Sequence, residues 1–589
     1  MTTKRSSPLV TALRQGAIAG GVAVLLTLMG MVEAFNERDI VQGVISLGIL
    51  LLVAIYVVFG STTARTLPET RASVRLGASA LAGAIGELFL VGLVILGQQV
   101  NLRPVFPNAS PELWELLQFG LSAPQSYLAM LSFGAVFGAL GAGLTLVSRR
   151  YRGPVIVGVV CVVLIGLLDD LIGITIASNP MFATSPVVDT ISQFFFAQGV
   201  ESGLSKAGAM VVFLVASVLA YQWPSLRRGA RSRTQAMPAG RQHTLALGLY
   251  GLFVVILLIL PNFLGPYLTD VSNSVMIFTL MALGLNIVVG FAGLLDLGYV
   301  AFFAIGAYTM GVLTTTAVGA ESGQIVWGPG LTFWSALPFA VLFSLTAGVL
   351  LGIPVLRMRG DYLAIVTLGF GEIVRILALS DALKPYTGGS QGIVEPAIPT
   401  LGRLTASLSS QGLYYYLLLA CVGLVIFVAI RLRDSRQGRS WMAVREDEDV
   451  AQAMGVRLVS TKLLAFASGA AMAGLAGAVF ASKVGSIYPN SFDLLKSINV
   501  LAIVIVGGMG SIPGVILGSL VLFGLPELLR EFSEYRYFVF GAVLVAMMLT
   551  RPEGLWPSSK RKQELHETFG PESEPRSQVL TTPGGAGSE

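Results

Sequence analysis

Long apolar runs, each near the length a bilayer demands, alternate along this chain with short polar segments. A spanning helix needs about 20 apolar residues. Six such runs precede residue 224, at about 17–32, 40–59, 77–96, 126–147, 154–176 and 206–223. Seven more follow, at about 244–264, 271–289, 298–316, 333–355, 362–379, 414–430 and 458–481. With every backbone polar group to be satisfied internally in lipid, this pattern predicts an all-α polytopic membrane protein. The first run is read as a retained helix and not a cleaved signal, because no small-residue cleavage site follows it and another span comes at once.

Charge orients these spans. Arg65, Arg71 and Arg75 follow the second run, Arg149, Arg150 and Arg152 the fourth, and Arg227, Arg228, Arg231 and Arg233 the sixth. The loops between are nearly free of cations: 101–125 holds only Arg103 and 178–205 holds none. The positive-inside rule then places both ends of a six-span block, residues 1–223, in the cytoplasm. A polar linker, 224–243, holds five arginines and joins it to a second block, 244–551. Arg357, Arg359 and the cluster from Arg431 to Arg445 fall inside by the same count. Residues 552–589, rich in Pro, Gly, Ser and charge, read as a disordered cytoplasmic tail.

After the span at 458–481 the chain is outside, yet the basic tail belongs inside, so an odd number of crossings must remain. The run at 537–550 supplies one. The stretch 498–524 must therefore make an even number, a hairpin of two short helices broken at Gly507, Gly508, Gly510, Ser511, Pro513 and Gly514. The stretch 282–311, ALGLNIVVGFAGLLDLGYVAFFAIGAYTMG, is interrupted in the same way by Gly290, Gly293 and Gly298 around one acid, Asp296. Paired glycine-broken segments point to a transporter's translocation pathway, against the plainer alternative of close helix packing. For Asp296, capping of the following half-helix is favoured over contact with substrate.

Composition fits this picture. The 589 residues are 54% hydrophobic and 12% charged, with mean hydropathy +0.76. The net charge of +5 resides in the loop clusters, so a nucleic-acid partner is not implied. Cys161 and Cys421 lie in apolar runs as small buried hydrophobes. His243 and His566 lie in polar segments, leaving no histidine for a metal site or triad. No Gly-Lys dipeptide occurs, which excludes a phosphate-binding Walker loop. Among acids in the first block, Glu87 is nearest mid-span and is the stronger functional candidate. Asp169 and Asp170 fall near the outer interface.

One loop differs from all others. Residues 431–456, RLRDSRQGRSWMAVREDEDVAQAMGV, are long and dense in both signs of charge. A helix is predicted from about 440 to 454, capped by Ser440 and ended by Gly455. Trp441, Val444, Val450 and Met454 offer apolar contact, and Arg445, Glu446, Asp447, Glu448 and Asp449 offer charge. This suits docking to a soluble partner.

Four stretches, at 282–308, 357–377 (RMRGDYLAIVTLGFGEIVRIL), 387–393 (TGGSQGI) and 438–478, the last continuing into VIVGGMGSIPG at 504–514, together resemble the M-type (LivM-type) permease of branched-chain amino acid ABC importers. The resemblance covers about 244–551. Many relatives carry Gln, Ser and His near Leu294, Asp296 and Tyr299, a more polar version than this one. The first six spans have no counterpart in the usual family member. The resemblance implies an ABC-importer permease fold with discontinuous helices, a partner H-type permease, two cytoplasmic ATPases and an extracytoplasmic solute-binding protein. It implies no cofactor on this chain, ATP being used by partner subunits. It also implies that 438–455, with Gly438, Arg439, Trp441, Arg445, Glu446 and Gly455, is the ATPase-coupling segment. Glu372 and Arg375, at i and i+3 in an apolar span, are expected to pair on one helix face, structural pairing being favoured over substrate contact.

The resulting expectation is the plasma-membrane permease subunit of an importer for branched-chain or related amino acids. The alternatives are the same mechanism acting on urea, short amides or another small polar solute, and an ion-coupled secondary transporter using Glu87, Asp169, Asp170 or Asp296. An integral-membrane enzyme is disfavoured by the lack of a catalytic constellation.

Overall fold

The computed structural model describes residues 7–557 apart from 68–69, 180–181, 183–184, 197–202, 236, 316–327, 356–357, 359–360, 401–409 and 525–534. Arg357, Arg359, His566 and the tail from 558 therefore lie outside the described residues. Among the described residues, twelve helices are long and apolar enough to cross a membrane, and the only strands form two short antiparallel ribbons. The protein is an all-α, multi-pass membrane protein. It divides into two compact units, the first built on Met1–Gly265 and the second on Pro266–Arg530 with the helix Arg536–Thr550.

Before residue 236 the first unit carries, among its described residues, six helices long and apolar enough to span: α1 (Pro8–Leu28), α2 (Leu47–Thr66), α3 (Ala72–Gln99), α4 (Gln125–Leu146), α5 (Arg149–Leu167) and α6 (Lys206–Gln235). The first begins well before residue 17 because Ser7 caps it and Pro8 opens it. The second begins later than residue 40, because Asp39–Val41 and Ile45–Ser46 first make a ribbon. Glycines set the closest packing. A Cβ on Gly83 or Gly134 would collide with the other's carbonyl, so α3 and α4 touch backbone to backbone. α6 extends through Pro224 into the segment expected to be a linker, as far as Gln235.

Within this unit Glu87 is 2% exposed. Asp170 instead pairs with Arg38 at 2.9 Å and is 42% exposed at its side chain, while Asp169 accepts from the Gly203 N–H at 2.7 Å. Both acids thus have structural work. Cys161 and Cys421 are free thiols.

Helix α7 (Ala239–Leu285) is interrupted at Gly265, whose φ of 70° and ψ of 176° are not helical. The second unit then contains α8 (Val300–Thr314), α9 (Phe333–Val355), α10 (Asp361–Leu379), α11 (Ser410–Asp434), α12 (Arg436–Glu446), α13 (Glu448–Ala453), α14 (Leu458–Val484), α15 (Leu494–Gly507), α16 (Ile512–Ser519) and α17 (Arg536–Thr550). At its centre is α14, whose small residues let neighbours approach. Gly477 faces the Phe303 carbonyl, Gly474 faces Ser344, and Gly306 faces Gly474. Small faces of this kind replace hydrophobic drive where lipid is the competing solvent. Helix α8, at 15 residues, rises about 22 Å, short of the ~30 Å hydrocarbon core. It is a half-helix.

Candidate functional site

The first glycine break begins where α7 ends. From Asn286 to Phe291 the chain widens into a π-helical turn, a form that recurs at functional sites because it displaces backbone groups from the regular ladder. The chain then turns at Gly293, with φ of 72°, and re-enters helix at Val300. Asp296 is fully buried, and one of its oxygens accepts from the Gly298 N–H at 2.9 Å. That contact closes the turn before the helix. The N–H of Val300 goes to Ser497 Oγ at 3.0 Å, so a residue of α15 caps α8 in the place expected for Asp296. Thr367 of α10 secures the turn from the other side, accepting from the Leu297 N–H at 3.0 Å. A Cβ on Gly298 would collide with the Thr367 carbonyl.

The second break is a hairpin of two short helices, as the crossing count required. α15 descends to Gly507 and α16 returns from Ile512, continuing through a π-helical turn to Gly524. Ser511 caps α16 by accepting from Gly514 N–H at 3.2 Å, with Pro513 in the first turn. Gly507 and Gly514 each approach the other's carbonyl too closely for any Cβ. Gly508 and Gly510 hold φ of 115° and 79° at the tip, conformations that glycine adopts without penalty. The last carbonyls of α15, which a helix end leaves without partners, accept from Leu555 N (to Val506 O, 2.8 Å) and Trp556 N (to Gly507 O, 3.1 Å). Residues 552–557, expected to begin a disordered tail, are thus tied to the hairpin tip.

The charged loop forms two helices and not one. α12 starts at Arg436, four residues before the predicted start. Ser435, not Ser440, caps it, accepting from Gly438 N–H at 3.2 Å, while Ser440 lies within the helix and donates to the Arg436 carbonyl. Asp447 breaks the run and caps α13 through the N–H groups of Asp449 and Val450 at 2.8 and 3.0 Å. Gly455, with φ of 89°, follows it. Competition explains the difference: two acceptors with local donors outbid one continuous helix.

This loop is pinned to the unit by its inner face. Gly438 packs on the carbonyls of Leu432 and Arg433. Trp441 is fully buried and donates from Nε1 to the Thr461 carbonyl at 2.8 Å. Lys462, 3% exposed at its side chain, pairs with Glu448 at 2.7 Å. The outer face carries Arg439, Glu446, Asp449 and Gly455, together with Val450 and Met454, which are 59% and 81% exposed.

The three features then meet. Arg445 donates from its guanidinium to the Gly290 carbonyl at 2.8 Å, and its stem lies against Gly293. Asn286 Oδ1 accepts from the Gly510 N–H at 2.8 Å, and a Cβ on Gly290 would lie 2.6 Å from that same nitrogen. Both breaks and the charged helix α12 are in direct contact. Glu372 and Arg375 stand apart from this junction on α10. They pair at 2.8 Å, with side chains 36% and 29% exposed, so the pair is formed but not buried.

Asn286, Ser497, Thr367 and Lys462 were not singled out from the sequence. Asn286 and Lys462 carried a signal, a polar side chain inside an apolar run. Ser497 and Thr367 carried none.

Comparison with known proteins bears on this arrangement. A family profile described as "Branched-chain amino acid transport system / permease component" matches residues 267–548. The high-affinity branched-chain amino acid transport system permease protein LivM of Escherichia coli K12 is 39% identical over 419 residues, covering 64% of this chain and 95% of that protein. The protein of the same name from Salmonella typhimurium is 42% identical over 339 residues, covering 53% and 76%. The permease protein LivH of Escherichia coli K12 is 26% identical over 309 residues, covering 49% and 95%. A match over 64% of 589 residues exceeds the stretch from Thr244 to the C-terminus, so the likeness to the Escherichia coli LivM protein reaches upstream of residue 244. No solved structure matches the chain.

Proposed function

Because the chain belongs to the family of branched-chain amino acid transport system permease components, we propose that it is the M-type permease subunit of an ATP-binding-cassette importer for those amino acids. The identity to LivM across nearly the whole of that protein carries this conclusion. It acts as a transport subunit and not as an enzyme.

The finer assembly is part of the proposal. An H-type permease pairs with this chain, as the likeness to LivH supports. Two ATPase subunits bind from the cytoplasm and a solute-binding protein delivers substrate from outside. The chain lies in the plasma membrane with both termini cytoplasmic, supported by the distribution of arginines between loops. No cofactor resides on this chain.

Helices α12 and α13 form the coupling segment in this reading. Their inner face is fixed by Trp441, Arg445 and the Glu448–Lys462 pair, and their outer face presents Val450 and Met454 among charged groups. Closure of the ATPases on ATP displaces that outer face. Because the segment is bonded to the unit, its displacement is passed to α11 and α14 at its ends and to the glycine breaks through Arg445. The breaks, from Gly290 to Gly298 and from Gly507 to Gly514, line the pathway, where backbone groups give weak contacts that permit release.

The experiment is reconstitution in proteoliposomes with the partner permease, ATPases and binding protein. ATP-dependent uptake of leucine, isoleucine and valine is expected, and none without the ATPases. Uptake of urea or short amides in preference to these would change the cargo and keep the mechanism. Uptake driven by a proton gradient alone would overturn the proposal. Arg445→Glu or Gly455→Trp is expected to abolish stimulation of the ATPase by loaded binding protein; intact stimulation would remove the coupling role from this loop.

A further inference from the structure

Asn286 occupies a position that the transport reading leaves unexplained. Its side chain is 1% exposed, in the first residue of the π-helical turn, within an otherwise apolar run. A buried amide at membrane depth is retained only where its polar atoms are used. Its Oδ1 accepts from Gly510 N–H at 2.8 Å, joining two breaks that are 224 residues apart in sequence. One turn along, the Gly290 carbonyl accepts from Arg445 at 2.8 Å. Gly290 must lack a side chain for the Asn286–Gly510 bond to form, since a Cβ would collide with Asn286 Oδ1 and lie 2.6 Å from Gly510 N. A Cβ on Gly510 would lie 3.3 Å from the Gly290 carbonyl and 3.5 Å from the Arg445 guanidinium. The four residues therefore form one knot.

We propose that Asn286 is the positioning residue that makes the two broken segments move as one when α12 shifts. Arg445 is hydrogen-bonded to the first break through the Gly290 carbonyl. Asn286 carries that displacement across to the hairpin tip, so both sides of the pathway respond to a single push. This rests on the assignment of α12 as the coupling helix.

The test uses the complete reconstituted importer with three readouts: uptake, ATPase stimulated by loaded binding protein, and basal ATPase. Asn286→Leu leaves the Gly510 N–H without its acceptor. Stimulated ATPase and uptake are expected to fall about tenfold or more, the scale of one unsatisfied buried donor. Basal ATPase and co-purification of the subunits stay within about twofold, an ordinary surface-level change. Asn286→Asp, which keeps the acceptor in the same place, restores stimulation. Gly290→Ala attacks the same bond without altering Asn286, and the double variant is expected to be no worse than the more severe single one, because both remove one shared contact. If Asn286→Leu fails to assemble, Gly290→Ala is judged by the same readouts. Proportional loss of basal activity, stimulated activity and assembly would overturn the proposal in favour of a purely structural role. Full stimulation in Asn286→Leu, with stimulation abolished by Arg439→Glu on the outer face of α12, would overturn it and leave the coupling segment standing. Full stimulation in both would overturn the coupling assignment and this inference with it.

Discussion

The Lys462 ammonium lies 2.7 Å from the Glu448 carboxylate, with the lysine side chain 3% exposed and the glutamate 22%. This pair joins α13 to the first turns of α14, the most buried of the candidate spans. A charge so deeply placed is tolerable only while it is matched.

Removing the acid alone is therefore expected to be worse than removing the base alone. Glu448→Ala strands a buried ammonium and should cost stability toward the lower end of the roughly 3–5 kcal/mol typical of broken buried pairs, since Glu448 keeps some contact with water. Lys462→Met leaves only a partly hydrated carboxylate and should cost less. Thermal unfolding of the purified protein in detergent ranks the two; equal effects would show that the ion pair does not set the stability of this corner.

The hairpin tip supplies a steric prediction. Gly507→Ala and Gly514→Ala each place a methyl against a carbonyl of the facing helix, so each is expected to cost about 1–3 kcal/mol or more as overpacking. Gly423 in α11 faces open space. There the same change should stabilise by up to about 1 kcal/mol through helix propensity. Unfolding midpoints of the three variants, compared with the parent, check the sign as well as the size.

Glu372 and Arg375 form a salt bridge on a spanning helix with each side chain about one-third exposed. A single substitution leaves an unmatched charge at membrane depth. Glu372→Gln and Arg375→Gln alone should each lower the yield of inserted protein, and the double variant should recover it. A double-mutant cycle on stability is expected to show coupling of at least about 0.5 kcal/mol, as for residues in direct contact. Zero coupling would mean that each charge answers to a partner other than the one beside it.

Much of this protein was legible from its sequence because lipid imposes a local rule. A segment that enters the bilayer must satisfy its own backbone, so apolar length marked the six spanning helices that begin before residue 224, and the run expected at 458–481 is the central helix Leu458–Val484. The count of crossings, with the arginine clusters, called for a hairpin within 498–524, and the helices Leu494–Gly507 and Ile512–Ser519 form one. Glycine positions announced where the helices break, since a positive φ at Gly293, Gly508 or Gly510 is written in residue type.

The tertiary structure decided what those breaks touch. Ser435 rather than Ser440 caps α12 because the chain leaving α11 brings Ser435 into position, and both serines are equally good caps by type. Ser497 rather than Asp296 receives the first N–H of α8, from a helix about 200 residues away. Arg445 belongs by composition to a solvated loop, yet its guanidinium ends on the Gly290 carbonyl. Helix formation is enforced residue by residue along the chain, so hydropathy reveals it. The contacts of Asn286, Arg445, Ser497 and Lys462 depend on which distant backbone group is left without a partner, and that is settled only when the helices pack.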